Sequence, residues 1–194
     1  MDASSAPQPI NERDMVERAQ HDPQAFPPLY RLYLPRVYGY IAYRVGNKQD
    51  AEDLTAEVFM KVVQALPSFE YRGDGAFAAW IFRIAHNQIA VHYRQQQTRV
   101  IDSSLDDLPE IRSKSPSPDQ SLQQKERFAR LRQIITTLSP RRQEIVTLRF
   151  FGELKNKEIA VVLGIDERTV ASHLSRAIED LGRRYDYEKE EQAL

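Results

Sequence analysis

The side chains of this 194-residue sequence that are able to do chemistry form no catalytic or metal-binding pattern. Its four histidines, at positions 21, 86, 92 and 173, include no pair spaced four apart on a helix and no H-E-x-x-H motif. There is no cysteine, which excludes a thiolate metal site, a disulfide and a cysteine nucleophile. The G-x-x-x-x-G-K-[ST] and G-x-S-x-G motifs are also missing. We therefore expect no enzymatic activity, no catalytic residue, no metal and no cofactor.

The polar side chains are better suited to binding another molecule than to catalysis. Those with the most specific pattern lie in the segment KEIAVVLGIDERTVASHLSRAIEDL, residues 157–181. Two apolar helical patterns flank Gly164, which allows the chain to reverse, and Asp166 is placed to cap the second helix. This order predicts a helix-turn-helix rather than an ordinary helical hairpin with a solvated face. Side chains that suit base edges in a major groove lie outward at the start of the second helix: Arg168, Ser172, Ser175 and Arg176.

Helices are expected to build the rest of the chain, because apolar residues recur at three and four positions and no stretch alternates with period two. The predicted fold is all-α, with two small helical domains joined by a flexible linker and the helix-turn-helix in the second. We expect a disordered tail at 1–10, a first domain at 11–96, a Ser-, Pro- and Asp-rich linker at 97–119, a second domain at 120–187 and a tail at 188–194.

Charge and hydropathy restrict how the chain can meet its partners. Lys and Arg number 27 against 28 Asp and Glu, so a globally basic surface is excluded and any DNA contact must use local basic faces. No apolar run approaches the ~20 residues of a membrane span, and the first residues lack the pattern of a secretory signal. Together with the absence of cysteine, this predicts a cytoplasmic protein without membrane insertion.

Four segments in order carry a resemblance to a known family. They are DAEDLTAEVFMKV (50–62), FAAWIFRIAHNQIAVHYR (77–94), LSPRRQEIVTLRFF (138–151) and the helix-turn-helix. From about Phe26 to Arg184 the sequence resembles a bacterial RNA polymerase sigma factor of the extracytoplasmic-function (ECF) subfamily. The resemblance implies a transcription initiation factor whose partners are core RNA polymerase, through its β′ coiled coil and β flap, promoter DNA and an anti-sigma factor.

The resemblance also implies roles for particular residues. Docking on the β′ coiled coil falls to the polar side of the third helix: Asp50, Asp53, Glu57 and Lys61. Taken alone, such a row more often means a solvated face, although an acidic face suits a basic partner. Recognition of the minus-ten element falls to a loop at 68–76 and to the helix after it: Phe69, Tyr71, Arg72, Arg83, Asn87 and Arg94. Recognition of the minus-thirty-five element falls to the helix that begins near Arg168, with Ser172, Ser175 and Arg176.

Two other classes of protein fit part of these patterns. A free-standing helix-turn-helix regulator with a helical sensing domain would explain the second domain, but it has no need for an acidic helix followed by an aromatic loop and a basic helix. A structural helical adaptor would leave the recognition face unexplained. Since a flexible linker cannot fix the spacing of two domains, we expect core polymerase to set that spacing.

Overall fold

The computed structural model describes residues 11–102 and 133–191, and over those residues the chain is all-helical, as predicted. The helices are α1 (Glu12–His21), α2 (Pro27–Val45), α3 (Lys48–Ala65), α4 (Ala76–Asp102), α5 (Pro140–Phe150), α6 (Asn156–Leu163) and α7 (Glu167–Glu191). Single turns of 3₁₀ helix lie at Pro23–Ala25 and Leu66–Ser68. In this described part of the chain, no helix has the length and apolar character needed to cross a membrane.

Capping side chains and a left-handed glycine set the ends of the first helices. The Asn11 side chain accepts a hydrogen bond from the Arg13 amide at 3.2 Å and caps α1. α2 ends at Gly46, whose φ of 72° is left-handed and favours glycine. Asn47 follows at once and caps α3 through a 2.9 Å bond from the Gln49 amide.

The N-terminal half, residues 11–102, packs α2, α3 and α4 around one core, with α1 against its side. Each helix contributes one apolar face, because residues three and four apart lie on the same side. Fully enclosed aromatic rings from α2 and α4 fill the centre: Tyr33, Tyr40, Phe77 and Phe82. They meet edge to face, with the Tyr33 and Phe77 centroids 5.2 Å apart.

The C-terminal half, residues 133–191, contains the predicted helix-turn-helix. Gly164 adopts a left-handed φ of 64° after α6, and the Asp166 carboxylate accepts from the Arg168 amide at 2.8 Å at the start of α7. The small Ala160 is buried where the helices meet, as the motif requires. An ion pair between Arg142 and Asp180 joins α5 to α7.

Helix boundaries differ from the sequence prediction at two places. α4 continues through Asp102, so residues 97–102 are helical although they were assigned to the linker. α7 likewise extends to Glu191, into the predicted tail. The segments 1–10, 103–132 and 192–194 lie outside the described residues, and they include the predicted N-terminal tail, most of the linker and the first part of the predicted second domain.

The two halves are in contact, whereas the sequence led us to expect no fixed spacing between them. α6 packs on α4 and α5 packs on α2, and the buried side chains of both halves form one continuous cluster. Gly152, in the turn between α5 and α6, lies at this contact. A β-carbon added there would stand 2.6 Å from the Leu148 carbonyl oxygen and 2.9 Å from the Phe82 ring.

The substitution Gly152→Ala should therefore lower the free energy of unfolding by about 1–3 kcal/mol, since the added methyl group overpacks this turn. Urea denaturation followed by circular dichroism measures the change. The control is Gly182→Ala on α7, where an added β-carbon meets nothing within 4 Å. Helix propensity should make that control neutral or more stable by up to about 1 kcal/mol. Equal behaviour of the two variants would show that the turn is not closely packed.

Candidate nucleic-acid interface

The recognition face predicted on α7 is exposed to solvent. Val170, Leu174 and Ala177 point into the C-terminal half and are buried. The other side of the helix therefore presents the four predicted side chains, all of them exposed: Arg168, Ser172, Ser175 and Arg176. They lie four, three and one positions apart on the first turns of the helix, which is the end that a recognition helix inserts into a major groove.

A second polar row lies on α4, where the predicted residues Arg83, Asn87 and Arg94 are exposed. Their spacing of four and seven residues keeps them on one side of the helix. Arg94 Nε donates to the Ala90 carbonyl at 3.2 Å, which orients the guanidinium along this side. The opposite side of α4 is core, with Phe82 and Ile89 buried. The row is thus suited to contact a backbone or bases along the helix.

The aromatic loop, residues 68–76, leads into α4 and is anchored to α1. Gln20 Nε2 donates to the carbonyl oxygens of Leu66 and Phe69 at 3.0 and 2.6 Å. Tyr71 donates its O–H to Glu12 at 3.2 Å. Partial burial and the nearby Glu12 carboxylate raise the pKa of Tyr71 to about 12, so its hydroxyl remains a donor at neutral pH. These bonds hold the first part of the loop in place.

Within this loop the predicted residues differ in accessibility. Phe69 is half-buried, with its ring centroid 4.8 Å from that of Trp80 and 5.5 Å from that of Phe77. Trp80 is itself half-buried and packs against Phe69 and Phe77. Arg72 is exposed and forms an ion pair with Glu70 at 2.7 Å. Arg72 and the edge of Tyr71 are the parts of the loop most open to a ligand.

The acidic row on α3 is joined to α4 by Gln88, which the sequence analysis did not identify as a site residue. Gln88 is buried, and its amide donates to Glu57 at 3.0 Å while its carbonyl accepts from Lys61 at 2.8 Å. Asp50 lies 3.7 Å from the His92 ring, and Asp53 is exposed. Between the two helices, Glu57, Lys61, Gln88 and His92 border a groove of about 510 Å³. The sequence around a glutamine in the middle of a helix does not show whether it bonds to a second helix, so this contact could not be predicted.

Family models match both halves of the chain. Residues 29–99 match sigma-70 region 2, and residues 128–181 match sigma-70 region 4. The first segment holds α2, α3, the aromatic loop and most of α4, and the second holds the helix-turn-helix. Solved structures similar to this one include CnrH in complex with the cytosolic domain of CnrY, with a TM-score of 0.67, 21% identity, and coverage of 91% of this chain and 97% of that one. At that level of identity the likeness shows the fold.

Curated relatives extend the match over most of the chain. The ECF RNA polymerase sigma factor BldN of Streptomyces coelicolor is 36% identical over 88% of this chain, and the match spans 64% of the relative's own length. The sigma-H factor of Pseudomonas aeruginosa is 32% identical, with coverage of 89% and 92%. The ECF sigma-E factor of Escherichia coli is 31% identical, with coverage of 88% and 92%. The chain therefore belongs to the ECF RNA polymerase sigma factors, which are transcription initiation factors.

Proposed function

We propose that this chain binds core RNA polymerase, recognises the minus-thirty-five and minus-ten elements of a promoter and helps to open the promoter DNA. The observation that carries the proposal is the exposed Arg and Ser face of α7, standing after a glycine turn in a chain whose other half matches region 2. A free-standing regulator would account for that face but not for the region 2 match.

For the upstream element, Arg168, Ser172, Ser175 and Arg176 are proposed to contact the major groove. An arginine can bind guanine O6 and N7 with two hydrogen bonds, and a serine hydroxyl can reach either base or a phosphate. The exposed Ala171 lies in the same row and adds only an apolar contact, which suits a thymine methyl group.

For the downstream element, Phe69, Tyr71 and Arg72 of the aromatic loop and Arg83, Asn87 and Arg94 of α4 are proposed to receive the separated strand. Unpaired bases stack on aromatic rings and on guanidinium planes, while arginines neutralise phosphates. The anchoring of the loop by α1 supports this role, because an ordered loop loses less entropy when it binds a strand.

For the polymerase, the row Asp50, Asp53, Glu57 and Lys61 is proposed to dock on the β′ coiled coil, and the C-terminal half to contact the β flap. Acidic side chains on α3 complement a basic partner and speed association. The chain itself is proposed to perform no catalysis, since nucleotide addition belongs to the polymerase.

We also propose that an anti-sigma protein binds this chain. Two structures of similar fold are of complexes: CnrH with the cytosolic domain of CnrY, and the sigma factor RpoE with the anti-sigma factor NepR from Bartonella quintana. The α7 face is exposed, as are Asp53, Glu57 and Lys61 of the α3 row, so one partner that covers both would block docking and promoter recognition together.

The direct test is run-off transcription from a promoter library with core polymerase, in the presence and absence of the protein. Specific transcripts that require the protein, and that share sequence at two spaced positions, are the expected result. Core polymerase that binds the protein and gains no promoter preference would contradict the proposal.

Asp53→Lys should weaken binding to core polymerase roughly tenfold, or about 1.4 kcal/mol, because like charges would then face each other across the contact. The free energy of unfolding should change by no more than about 0.5 kcal/mol, since Asp53 is exposed. Fluorescence anisotropy with labelled protein measures the affinity.

The control for that variant is Glu52→Lys, the same charge reversal on an exposed neighbour outside the row. Equal losses for Asp53→Lys and Glu52→Lys would mean that only net charge matters, and the assignment of the row would be wrong.

Arg176→Ala should reduce binding to the selected upstream element by about 1–3 kcal/mol if the guanidinium contacts a base. Arg183→Ala is the control, because Arg183 lies two turns further along α7 and pairs with Glu179 at 3.3 Å. Electrophoretic mobility shifts of the holoenzyme on matched and mutated elements separate the cases. An equal loss on every DNA sequence would show that Arg176 contacts phosphate instead.

A further inference from the structure

The first helix, α1, makes contacts that hold the aromatic loop, although it lies outside the segment that matches region 2. That match covers residues 29–99, and α1 ends at His21. Val16 and Ala19 are buried and pack one side of α1 on the N-terminal core. Glu12 and Gln20 lie on the same side of the helix, because they are four residues from Val16 in either direction. Both side chains are half-buried and bond to the loop.

Gln20 fixes the point where the chain leaves the 3₁₀ turn at Leu66–Ser68. The Leu66 carbonyl accepts from the Phe69 amide at 3.0 Å, which closes the turn, and also from Gln20 Nε2 at 3.0 Å. The same nitrogen donates to the Phe69 carbonyl at 2.6 Å. Phe69 is the first residue after the turn with extended backbone, at φ −72° and ψ 129°. One side chain of α1 therefore holds the two carbonyls that set the direction of the loop.

Glu12 fixes the loop two residues further on. One of its carboxylate oxygens accepts from the Tyr71 hydroxyl at 3.2 Å, and the other accepts from the Tyr33 hydroxyl. Tyr33 is fully buried on α2. Burial and the Glu12 carboxylate raise the pKa of Tyr33, so its hydroxyl remains a donor at neutral pH. Glu12 thereby connects the loop to a ring at the centre of the core.

These two attachments decide which loop side chains face solvent. In an extended segment, successive side chains point to opposite sides. Phe69 and Tyr71 are half-buried, whereas Glu70 and Arg72 are exposed and pair with each other at 2.7 Å. A shift of the segment by one residue would exchange the two sets. The bonds from α1 therefore keep the Glu70–Arg72 pair on the open side of the loop.

The charge of Glu12 separates a positioning role from a direct contact with nucleic acid. A carboxylate beside a bound strand repels its phosphates. Removal of the charge would therefore strengthen strand binding if the charge acted alone. Removal would weaken strand binding if the hydrogen bonds of Glu12 hold the loop in its binding conformation. The two roles predict changes of opposite sign.

We propose that α1 belongs to the minus-ten site: Glu12 and Gln20 are positioning residues that hold the aromatic loop so that Glu70 and Arg72 meet the separated strand. This inference rests on the proposed function of the loop. A loop that is held before binding loses less entropy when the strand arrives. Arg72 then binds a phosphate or stacks on an unpaired base, and Glu70 accepts a hydrogen bond from an exocyclic amino group.

The first measurement concerns the loop in the free chain and does not depend on transcription. Amide hydrogen exchange, resolved by NMR, is followed at Phe69 and at Ala76, whose amide bonds to the Gly73 carbonyl near the other end of the loop. Gln20→Leu keeps the size of the side chain and removes both of its bonds. Gln24→Leu is the matched control, the same substitution at an exposed residue after α1.

Exchange at Phe69 should be roughly tenfold faster in Gln20→Leu than in wild type, because the carbonyls on both sides of its turn lose a donor. Exchange at Ala76 should be unchanged. The control Gln24→Leu should match wild type at both amides.

The second measurement is the affinity of the holoenzyme for a promoter selected by run-off transcription, with its minus-ten region opened beforehand by mismatches. Gln20→Leu and Glu12→Gln should each weaken this binding by roughly five- to tenfold. Glu12→Gln does so although it removes a negative charge, because the amide has one oxygen to accept from two hydroxyls. Asp14→Asn, at an exposed acid of α1, is the control and should bind at least as tightly as wild type. Affinities for core polymerase and for a duplex with the upstream element alone should be unchanged, which a general loss of structure would not give.

Every other result overturns the proposal. If Phe69 exchanges equally fast in Gln20→Leu and wild type, α1 does not hold the loop. If exchange rises and the opened promoter binds as before, the position of the loop does not affect strand binding. Tighter binding by Glu12→Gln would show that its charge acts alone, and this sign decides the matter even if circular dichroism shows Gln20→Leu to be unfolded. Failure of the proposed function would appear separately, as wild-type protein that yields no promoter-specific transcripts while Phe69 exchange still distinguishes Gln20→Leu from Gln24→Leu.

Discussion

A buried carboxylate must be matched by hydrogen bonds and positive charge, and this requirement at Glu144 sets the relation between the two halves of the chain. The partners of Glu144 all belong to the other half of the chain: Tyr40 and Arg44 lie on α2, and His86 lies on α4. A slip of α5 by one turn would leave the charge without them. The carboxylate therefore restricts how α5 can pack on the N-terminal half.

The exposed recognition rows follow from the cores behind them. On α7, burial of Val170, Leu174 and Ala177 fixes the rotation of the helix, which leaves Ser172 and Arg176 outward. The same holds on α4, where the buried residues leave Arg83 and Asn87 in solvent, and on α3. A polar row on an amphipathic helix is therefore as rigid as the packing on its other side, and this rigidity is what base recognition requires.

Sequence reasoning succeeded where structure is local and failed where it depends on distant pairs. Gly46, Gly164 and Asp166 act through their own turns, so the helix ends and the helix-turn-helix could be predicted. The end of α4 was misplaced because charged and polar composition suggested a linker, although no glycine or proline interrupts residues 97–102. The bonds of Gln20 to the aromatic loop, of Gln88 to α3 and of Glu144 to α2 join residues 27 to 104 positions apart. In the sequence, Gln20, Gln88 and Glu144 each look like an ordinary solvent-exposed side chain.

The contact between the two halves combines a continuous apolar cluster with a few polar pairs. When two apolar faces separate, each loses its burial energy and gains nothing from water. When Glu144 leaves Arg44 and His86, however, all three groups become hydrated, and hydration returns much of what the ion pair supplied. The same is true of Arg36 and the Gly152 carbonyl, which is a hydrogen-bond acceptor in water as well. The polar pairs therefore add little net free energy to the contact, and the continuous apolar cluster supplies most of it. The polar pairs instead fix how one half is oriented on the other, because each pair forms only when its two members meet.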